Sequence, residues 1–447
     1  MTFPQIGNND GQPAHPSSKY KNLSKILYAG FFFLLIQSAY NPTQNMVSSL
    51  YNQKGYSSLG QITLFTNWVL FSSANLLTSH AKRHIRYGTG IFIGAIAALP
   101  FYGAAFWLTG CTDHDGWCSP SLVYITNIIS SAICGGAFPL AFISLFSYVD
   151  SCSQLHNKGT FYGIISGAAL TSQLVGSISA SFILGDTSPP VFFLINMIVT
   201  LIAASAFLFL PSSAAKPHEK DPVKALPVNA DSDVLLEADS EGAQGSSDQA
   251  AETAAVVNHS LRDSWKEYRR LLLDRRMQRL IFNFANSGMI VALYTGFFFT
   301  IITSSIDSQD ESEINRYTAY VFVVLGAFEC IAGLVVGKLA DMMNKAQALK
   351  YSGFIVELAY VVTLIAYFEK KYYLCLIAGA FWGFCDCMTQ MLSTILIGTE
   401  FKGQLEVFGL FLLFQGLFGA FGLLILATDI LKGEYSTSCL DGKFLCM

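Results

Sequence analysis

The chain has 447 residues, of which 52% are apolar and only 13% charged, with a formal net charge of -4. Soluble domains carry about a quarter charged residues, so this composition excludes an ordinary soluble enzyme and points to a chain that lipid must bury. The small net charge carries no message about a partner, because the acids sit mainly in two loops.

Residues 1–25, MTFPQIGNNDGQPAHPSSKYKNLSK, are too polar and too long for the n-region of a signal peptide, and no small-residue cleavage pattern follows the first apolar run. They are predicted to be a cytosolic tail. Eleven apolar blocks follow, near 26–46, 59–79, 87–108, 122–147, 160–184, 190–210, 278–303, 317–337, 347–368, 372–398 and 406–431. Each reaches the about 20 residues that a spanning helix requires. Barrel strands would be shorter and would alternate strictly, so the predicted class is an all-α membrane protein.

Six blocks make a predicted bundle over 26–211 and five make a second over 277–431, with a polar outer tail at 432–447. Between the bundles, 212–276 starts as a stretch rich in Ala, Ser, Asp, Glu and Pro and poor in aromatics, the composition of a disordered linker. It ends in Trp265, Lys266, Tyr268, Arg269, Arg270, Arg275 and Arg276, followed by Arg279. This basic, partly apolar stretch is expected along the anionic cytosolic leaflet, as a positive-inside anchor or a lipid-recognition element. A cytosolic N-terminus puts most of the 27 Lys and Arg on the cytosolic side, as the positive-inside rule requires.

Cys111 and Cys118 flank the acidic stretch TDHDGW between the third and fourth blocks, and Cys439 and Cys446 lie in the tail. Both pairs fall in predicted outer segments that face an oxidising space, which leaves a Cys111–Cys118 disulfide and free thiols as alternatives. No nucleotide-binding, zinc-protease or C-x-x-C pattern lies on a suitable element. The sequence therefore gives no support to catalysis, a metal, a cofactor or nucleic-acid binding.

An ionised group at membrane depth costs several kcal/mol unless water or a partner meets it, so polar residues inside the blocks are the candidate functional residues. Three acids qualify: Glu329, Glu357 and Asp386. Glu329 shares a helical face with Gly326, Gly333 and Gly337, which reads first as a packing face, and Glu357 has no polar stripe and reads as structural. Asp386 has better company. At about 100° per residue, Gln390, Ser393, Thr389 and Thr394 fall in its arc, while Met388, Met391, Leu392, Ile395 and Leu396 take the other side. Helix-to-helix hydrogen bonding is the alternative reading of that polar arc.

Two groups of spans about a long cytosolic linker form the layout of parallel repeats. The turn after the second block reads SHAKRHIRYG and that after the eighth GKLADMMNKA. Gly337, Asp341 and Lys345 in the latter resemble the G-x-x-x-D plus basic cytosolic-loop signature of the major facilitator superfamily; the first-half copy lacks the Gly and Asp. Within that superfamily, Gly379-Ala380-Phe381-Trp382-Gly383-Phe384-Cys385-Asp386-Cys387-Met388-Thr389-Gln390 resembles the "G-x-x-D-x-x-x-T-Q" stretch of the Unc-ninety-three-like family. Lys158-Gly159-Thr160-Phe161-Tyr162-Gly163 and Tyr56-Ser57-Ser58-Leu59-Gly60 resemble that family's starts of spans five and two. The chain departs from the family near the end of span four, where it reads PLAFISLFSYVD, and in its number of spans, eleven where twelve are expected.

The resemblance implies a major-facilitator-type fold of two bundles whose cavity is lined by spans one, four, seven and ten. That would bring Gln37, Asn41 and Gln44, Asn127, and Asn283 and Asn286 toward Asp386, Gln390 and Ser393. Asn41 is the most pointed of these, because Pro42 frees the Ser38 carbonyl inside a membrane helix. Gly337, Asp341 and Lys345 would form a cytosolic gate motif. The resemblance also implies a non-enzymatic regulator or trafficking partner of a channel or receptor, in the plasma membrane or an endomembrane. The alternative is a secondary transporter of a small solute or ion coupled through Asp386.

Overall fold

The structure, a computed structural model, describes residues 22–56, 58–82, 84–111, 116–153, 158–212, 261–308, 310–342, 345–401 and 405–440. All regular structure among them is helical. The first half contains α1 (Leu23–Gln53), α2 (Leu59–Lys82), α3 (Tyr87–Gly110), α4 (Pro120–Cys152), α5 (Lys158–Asp186) and α6 (Pro189–Ala206). A short amphipathic helix, Leu261–Leu273, precedes α7 (Arg275–Ser304). Then come α8 (Glu311–Met342), α9 (Lys345–Glu369), α10 (Tyr372–Glu400) and α11 (Leu405–Leu440).

Ten of these eleven long helices are long and apolar enough to cross a bilayer, and α2 falls short. The cause is visible in its packing. Gln61, Thr63, Asn67, Ser72, Asn75 and Thr78 of α2 are all buried in protein, so its polar residues lower its hydropathy without facing lipid. Large apolar side chains cover the outside instead, among them Phe282, Phe209 and Phe368, exposed by 85%, 81% and 75%. The chain is a multi-pass membrane protein.

Local sequence accounts for the irregular turns. In α3 the helix breaks at Ala97–Ala98, just before Pro100, which has no amide hydrogen to donate. In α7 a π-turn spans Leu293–Phe297, the kind of bulge that re-aims a side chain within a membrane helix. Asp274 caps α7 by accepting from the Arg276 amide at 2.8 Å, and its hydrogen bonds to the Arg276 guanidinium hold its carboxyl below the usual carboxylate range. The helical backbone of α11 continues to Leu440, well past the predicted end of the span at 431. Cys446 and most of the 1–25 and 212–260 segments lie outside the described residues.

The two bundles meet along α5 with α8 and along α2 with α11. Without a hydrophobic driving force in lipid, such seams depend on close packing of small residues. At Gly326 of α8 an added Cβ would lie 2.5 Å from the Leu174 amide nitrogen of α5. Within the first bundle, a Cβ at Gly176 of α5 would lie 2.4 Å from the Ser38 carbonyl oxygen and 2.8 Å from the Pro42 ring. The carbonyl that Pro42 frees is therefore covered by a glycine of the neighbouring helix.

Candidate functional site

Between the bundles lies a cavity of about 170 Å³. α1, α2, α4 and α5 line it from the first half and α7, α8, α10 and α11 from the second, and among the described residues no Lys, Arg or His lines it. Its first-half wall is amide and aromatic. Gln44 Nε2 donates to the Tyr40 hydroxyl at 3.0 Å, and that hydroxyl donates to Asn67 Oδ1 at 3.0 Å. Asn41 Nδ2 donates to Ser172 Oγ at 2.9 Å, while the buried Gln37 Oε1 has no hydrogen-bond partner.

Two acids mark the second-half wall. Asp386 of α10, 3% exposed, accepts from Gln390 Nε2 at 2.8 Å and from the Tyr294 hydroxyl at 3.2 Å. Tyr294 stands on the π-turn of α7. Glu329 of α8, 2% exposed, lines the same cavity as Asp386. The wall thus brings two carboxyls, a phenol and an amide together from three helices.

Asp386, Gln390, Gln37 and Asn41 line this cavity, as does Thr394. Ser393 and Asn286 do not. Ser393 Oγ accepts from Asn283 Nδ2 of α7 at 2.6 Å, so it joins two helices beside the cavity, and Asn286 is half-buried away from it. Asn127 accepts from the Tyr51 hydroxyl. Met391, expected on the far side of α10, lines the cavity as well. The backbone at Gly337 and Asp341 belongs to α8 and that at Lys345 to α9, and their side chains lie outside the described residues. Cys111 and Cys118 are joined by a disulfide with Cα atoms 5.9 Å apart.

Glu329 is the lining residue that its own helix did not reveal. Its small-residue neighbours read as a packing face, and Gly326 does pack on α5, but the acid stands one face round the helix, where the α5–α8 contact opens into the cavity. The available signal is a second mid-span acid, two spans before that of Asp386.

Contacts between the bundles close both ends. At the end holding Gln53, Gln53 Nε2 donates to Asn315 Oδ1 at 2.8 Å. Arg316 Nη2 donates there to the Gly185 carbonyl at 2.9 Å and to Asp186 at 3.1 Å. Toward the end holding Leu23, the rings of Phe146, Tyr162 and Phe408 stack, with centroids 5.4 to 6.1 Å apart. One closure is polar and the other aromatic. Among the described residues no group of three or more His, Cys, Asp or Glu is arranged to hold a metal ion.

The sequence model of the Major Facilitator Superfamily matches residues 116–423. Among curated proteins, no sequence matches this chain. Among solved structures, one titled "Crystal structure of D-xylose-proton symporter" is similar at a TM-score of 0.60 and 12% identity, covering 91% of this chain and 90% of that one. Another, the xylose transporter XylE from E. coli in a "partially occluded inward open conformation", is similar at 0.56 and 12% identity, covering 91% of each chain. At that identity the likeness concerns the fold.

Proposed function

From the premise that the chain belongs to the major facilitator superfamily, we propose that it is a secondary carrier of a small polar solute, with Glu329 and Asp386 together holding the coupling proton. The observation that carries this reading is that two buried carboxyls, Glu329 and Asp386, line one cavity whose lining, among the described residues, includes no Lys, Arg or His. Two carboxyls that face one small cavity away from bulk water repel each other when both are ionised, which favours keeping a proton on one of them. An acid pair at membrane depth is a costly thing to keep without a use.

The first-half wall supplies the solute contacts in this reading. Gln37 and Asn41 present amide donors and acceptors, and the unpartnered Gln37 Oε1 is an acceptor that a solute donor would satisfy. Gln390 links the two functions, since it lines the cavity and donates to Asp386. Solute entry from one face requires parting of the contacts there, either the Gln53–Asn315 and Arg316–Gly185 bonds or the aromatic stack. The end holding Leu23 is assigned to the cytosol by the distribution of Lys and Arg. Gly337, Asp341 and Lys345, at the junction of α8 and α9, would then form the cytosolic gate motif.

The second reading, a regulator or trafficking partner of a channel or receptor, rests on the α10 stretch Gly379–Gln390 and its resemblance to the Unc-ninety-three-like family. The xylose and proton named in the neighbours' titles fit a carrier better. Reconstitution into liposomes with an internal pH dye separates the two readings. A carrier acidifies the lumen when one member of a panel of pentoses, hexoses, polyols and amino acids is added outside, and Asp386→Asn abolishes that signal at unchanged protein content. No response to any member, together with stoichiometric recovery of a channel or receptor from membranes, would overturn the carrier reading.

A further inference from the structure

The central cavity holds a charge that its own walls do not balance. Glu329 and Asp386, 2% and 3% exposed, line it together, and among the described residues no Lys, Arg or His does. With a proton on one acid, the other still carries a negative charge at membrane depth, where an ionised group needs a partner or water. Both oxygens of Asp386 accept hydrogen bonds, Oδ1 from Gln390 at 2.8 Å and Oδ2 from Tyr294 at 3.2 Å, which is the behaviour of an ionised carboxyl. Those neutral donors spread the charge but do not cancel it.

Much of the remaining lining is aromatic. Nine of the 26 lining residues are Phe, Tyr or Trp, where the whole chain has 14%. The rings of Phe33, Phe71, Phe138 and Phe146 all pack on Phe142, with centroids 5.3 to 6.4 Å from it, and make one continuous wall. Ring faces attract a cation and also accept an apolar body. The amides of α1 are poorly placed to serve a solute with many hydroxyls, because Asn41 and Gln44 each spend an amide hydrogen inside the protein, on Ser172 and Tyr40. Asn67 Nδ2 is left over, a single donor against the several acceptors of a sugar. An acceptor is left over as well: Gln37 is 5% exposed and lines the cavity, and its Oε1 has no hydrogen-bond partner.

We propose that the solute is a small protonated amine with an apolar or aromatic body, an assignment that rests on the reading of this cavity as the solute site of a carrier. The ammonium pairs with the Asp386 carboxylate and donates to Gln37 Oε1, and the body lies on the wall around Phe142. One positive charge on the solute and one proton on the acids leave the loaded cavity neutral. A sugar leaves the carboxylate unbalanced. A zwitterion brings a carboxylate of its own that no lining cation meets, and an anion adds to the repulsion. The volume of about 170 Å³ sets the size, since a cavity of about 150 Å³ holds one benzene. The body is therefore a single six-membered ring or a chain of similar bulk.

The test is isothermal titration calorimetry on the full chain in detergent, with the heat of mixing into empty micelles subtracted and three probes built on one ring. At about pH 7 phenethylamine is a cation, phenylethanol is neutral and phenylacetate is an anion. A hydrogen bond to a charged group is strong enough that the alcohol should bind roughly 10- to 100-fold more weakly than the amine, and phenylacetate should not bind. Asp386→Asn should bring the amine down to the affinity of the alcohol at an unchanged gel-filtration profile, and the ranking of probes on the parent chain stands without that variant. Absence of amine binding overturns the proposal, as does an alcohol or an anion that binds as tightly as the amine. Amine binding that Asp386→Asn leaves unchanged also overturns it, because the amine would then sit elsewhere. Binding requires no flux, so the two readings fail separately. Amine binding without solute-driven proton movement in liposomes removes the carrier and keeps the amine site, whereas proton movement driven by a sugar, with no amine binding, removes the amine assignment alone.

Discussion

On the first-half wall of the cavity the polar side chains direct their hydrogen bonds largely to one another, through Gln44, Tyr40 and Asn67. On the second-half wall they converge on the Asp386 carboxyl, and a second acid, Glu329, lines the same wall. The same fold, repeated, has thus produced one neutral face and one that can hold a proton. Neutral amides discriminate by geometry and change little with pH, whereas a carboxyl pair changes charge and so couples position to protonation. In the carrier proposed above, recognition falls to α1 and α2 and coupling to α8 and α10.

The largest effect should come from the acids. Asp386→Asn and Glu329→Gln are each expected to reduce solute-driven proton movement in liposomes to background, with the folded yield kept, because an amide preserves shape and one of the two oxygens with which Asp386 accepts from Gln390 and Tyr294 but carries no exchangeable charge. If either variant keeps pH-dependent coupling, the pair does not work as a unit and the division between the walls is wrong. The next effect tests whether the walls must meet at backbone distance. Gly326→Val puts side-chain atoms where a Cβ alone would sit 2.5 Å from the Leu174 amide nitrogen. Overpacking of this kind costs about 1–3 kcal/mol, read as a lower unfolding temperature in detergent. A variant as stable as the parent would mean that the α5–α8 seam is looser than it stands here.

Smaller effects belong to the neutral wall. Gln37→Leu and Asn41→Leu each remove a hydrogen-bonding group worth about 0.5–1.5 kcal/mol, so each should raise the apparent KM for the transported solute between about twofold and tenfold. Their pH profile should match the parent's. A shifted pH profile in either variant would carry the coupling function across to the first half and erase the contrast.

How much of this was legible in the sequence follows from what a period can and cannot encode. Apolar block length gives the helices, and even α2 was visible although its buried Asn67, Ser72 and Asn75 depress its hydropathy. The polar arc of α10 gives a helix and an acid that line the cavity but not the centre of the cavity-facing side. Gln390 and Thr394 lie about 40° and 80° to one side of Asp386 and Ser393 about 20° to the other. The cavity is centred on the first side, which brings in Met391 and leaves Ser393 to bond Asn283. Rotation about one helix is written in its sequence; which neighbour stands at each angle is not. Glu329 shows the same limit, since its glycine neighbours announce a contact without saying that the acid beside them borders a space.

The smallest effect is expected where the two halves touch at the Gln53 end. Arg316 of α8 bonds Asp186 and the Gly185 carbonyl of α5, and the two charged side chains are 42% and 71% exposed. An ion pair so open to water contributes about 0–1 kcal/mol, so Arg316→Gln should leave the unfolding temperature nearly unchanged. The bond nonetheless joins the bundles, and its loss should favour opening at that end. A Cys placed at position 390 in a background free of other reactive thiols reports this, because Gln390 lines the cavity. Its reaction with a membrane-impermeant thiol reagent added from the Gln53 side should be faster in Arg316→Gln than in the parent, and unchanged from the Leu23 side, where the aromatic stack still closes the seam. Equal acceleration from both sides would mean that the variant loosens the whole fold. No acceleration from either would mean that Gln53 and Asn315 keep that end shut without Arg316, and the ion pair would then be an ornament of the surface and no part of the closure.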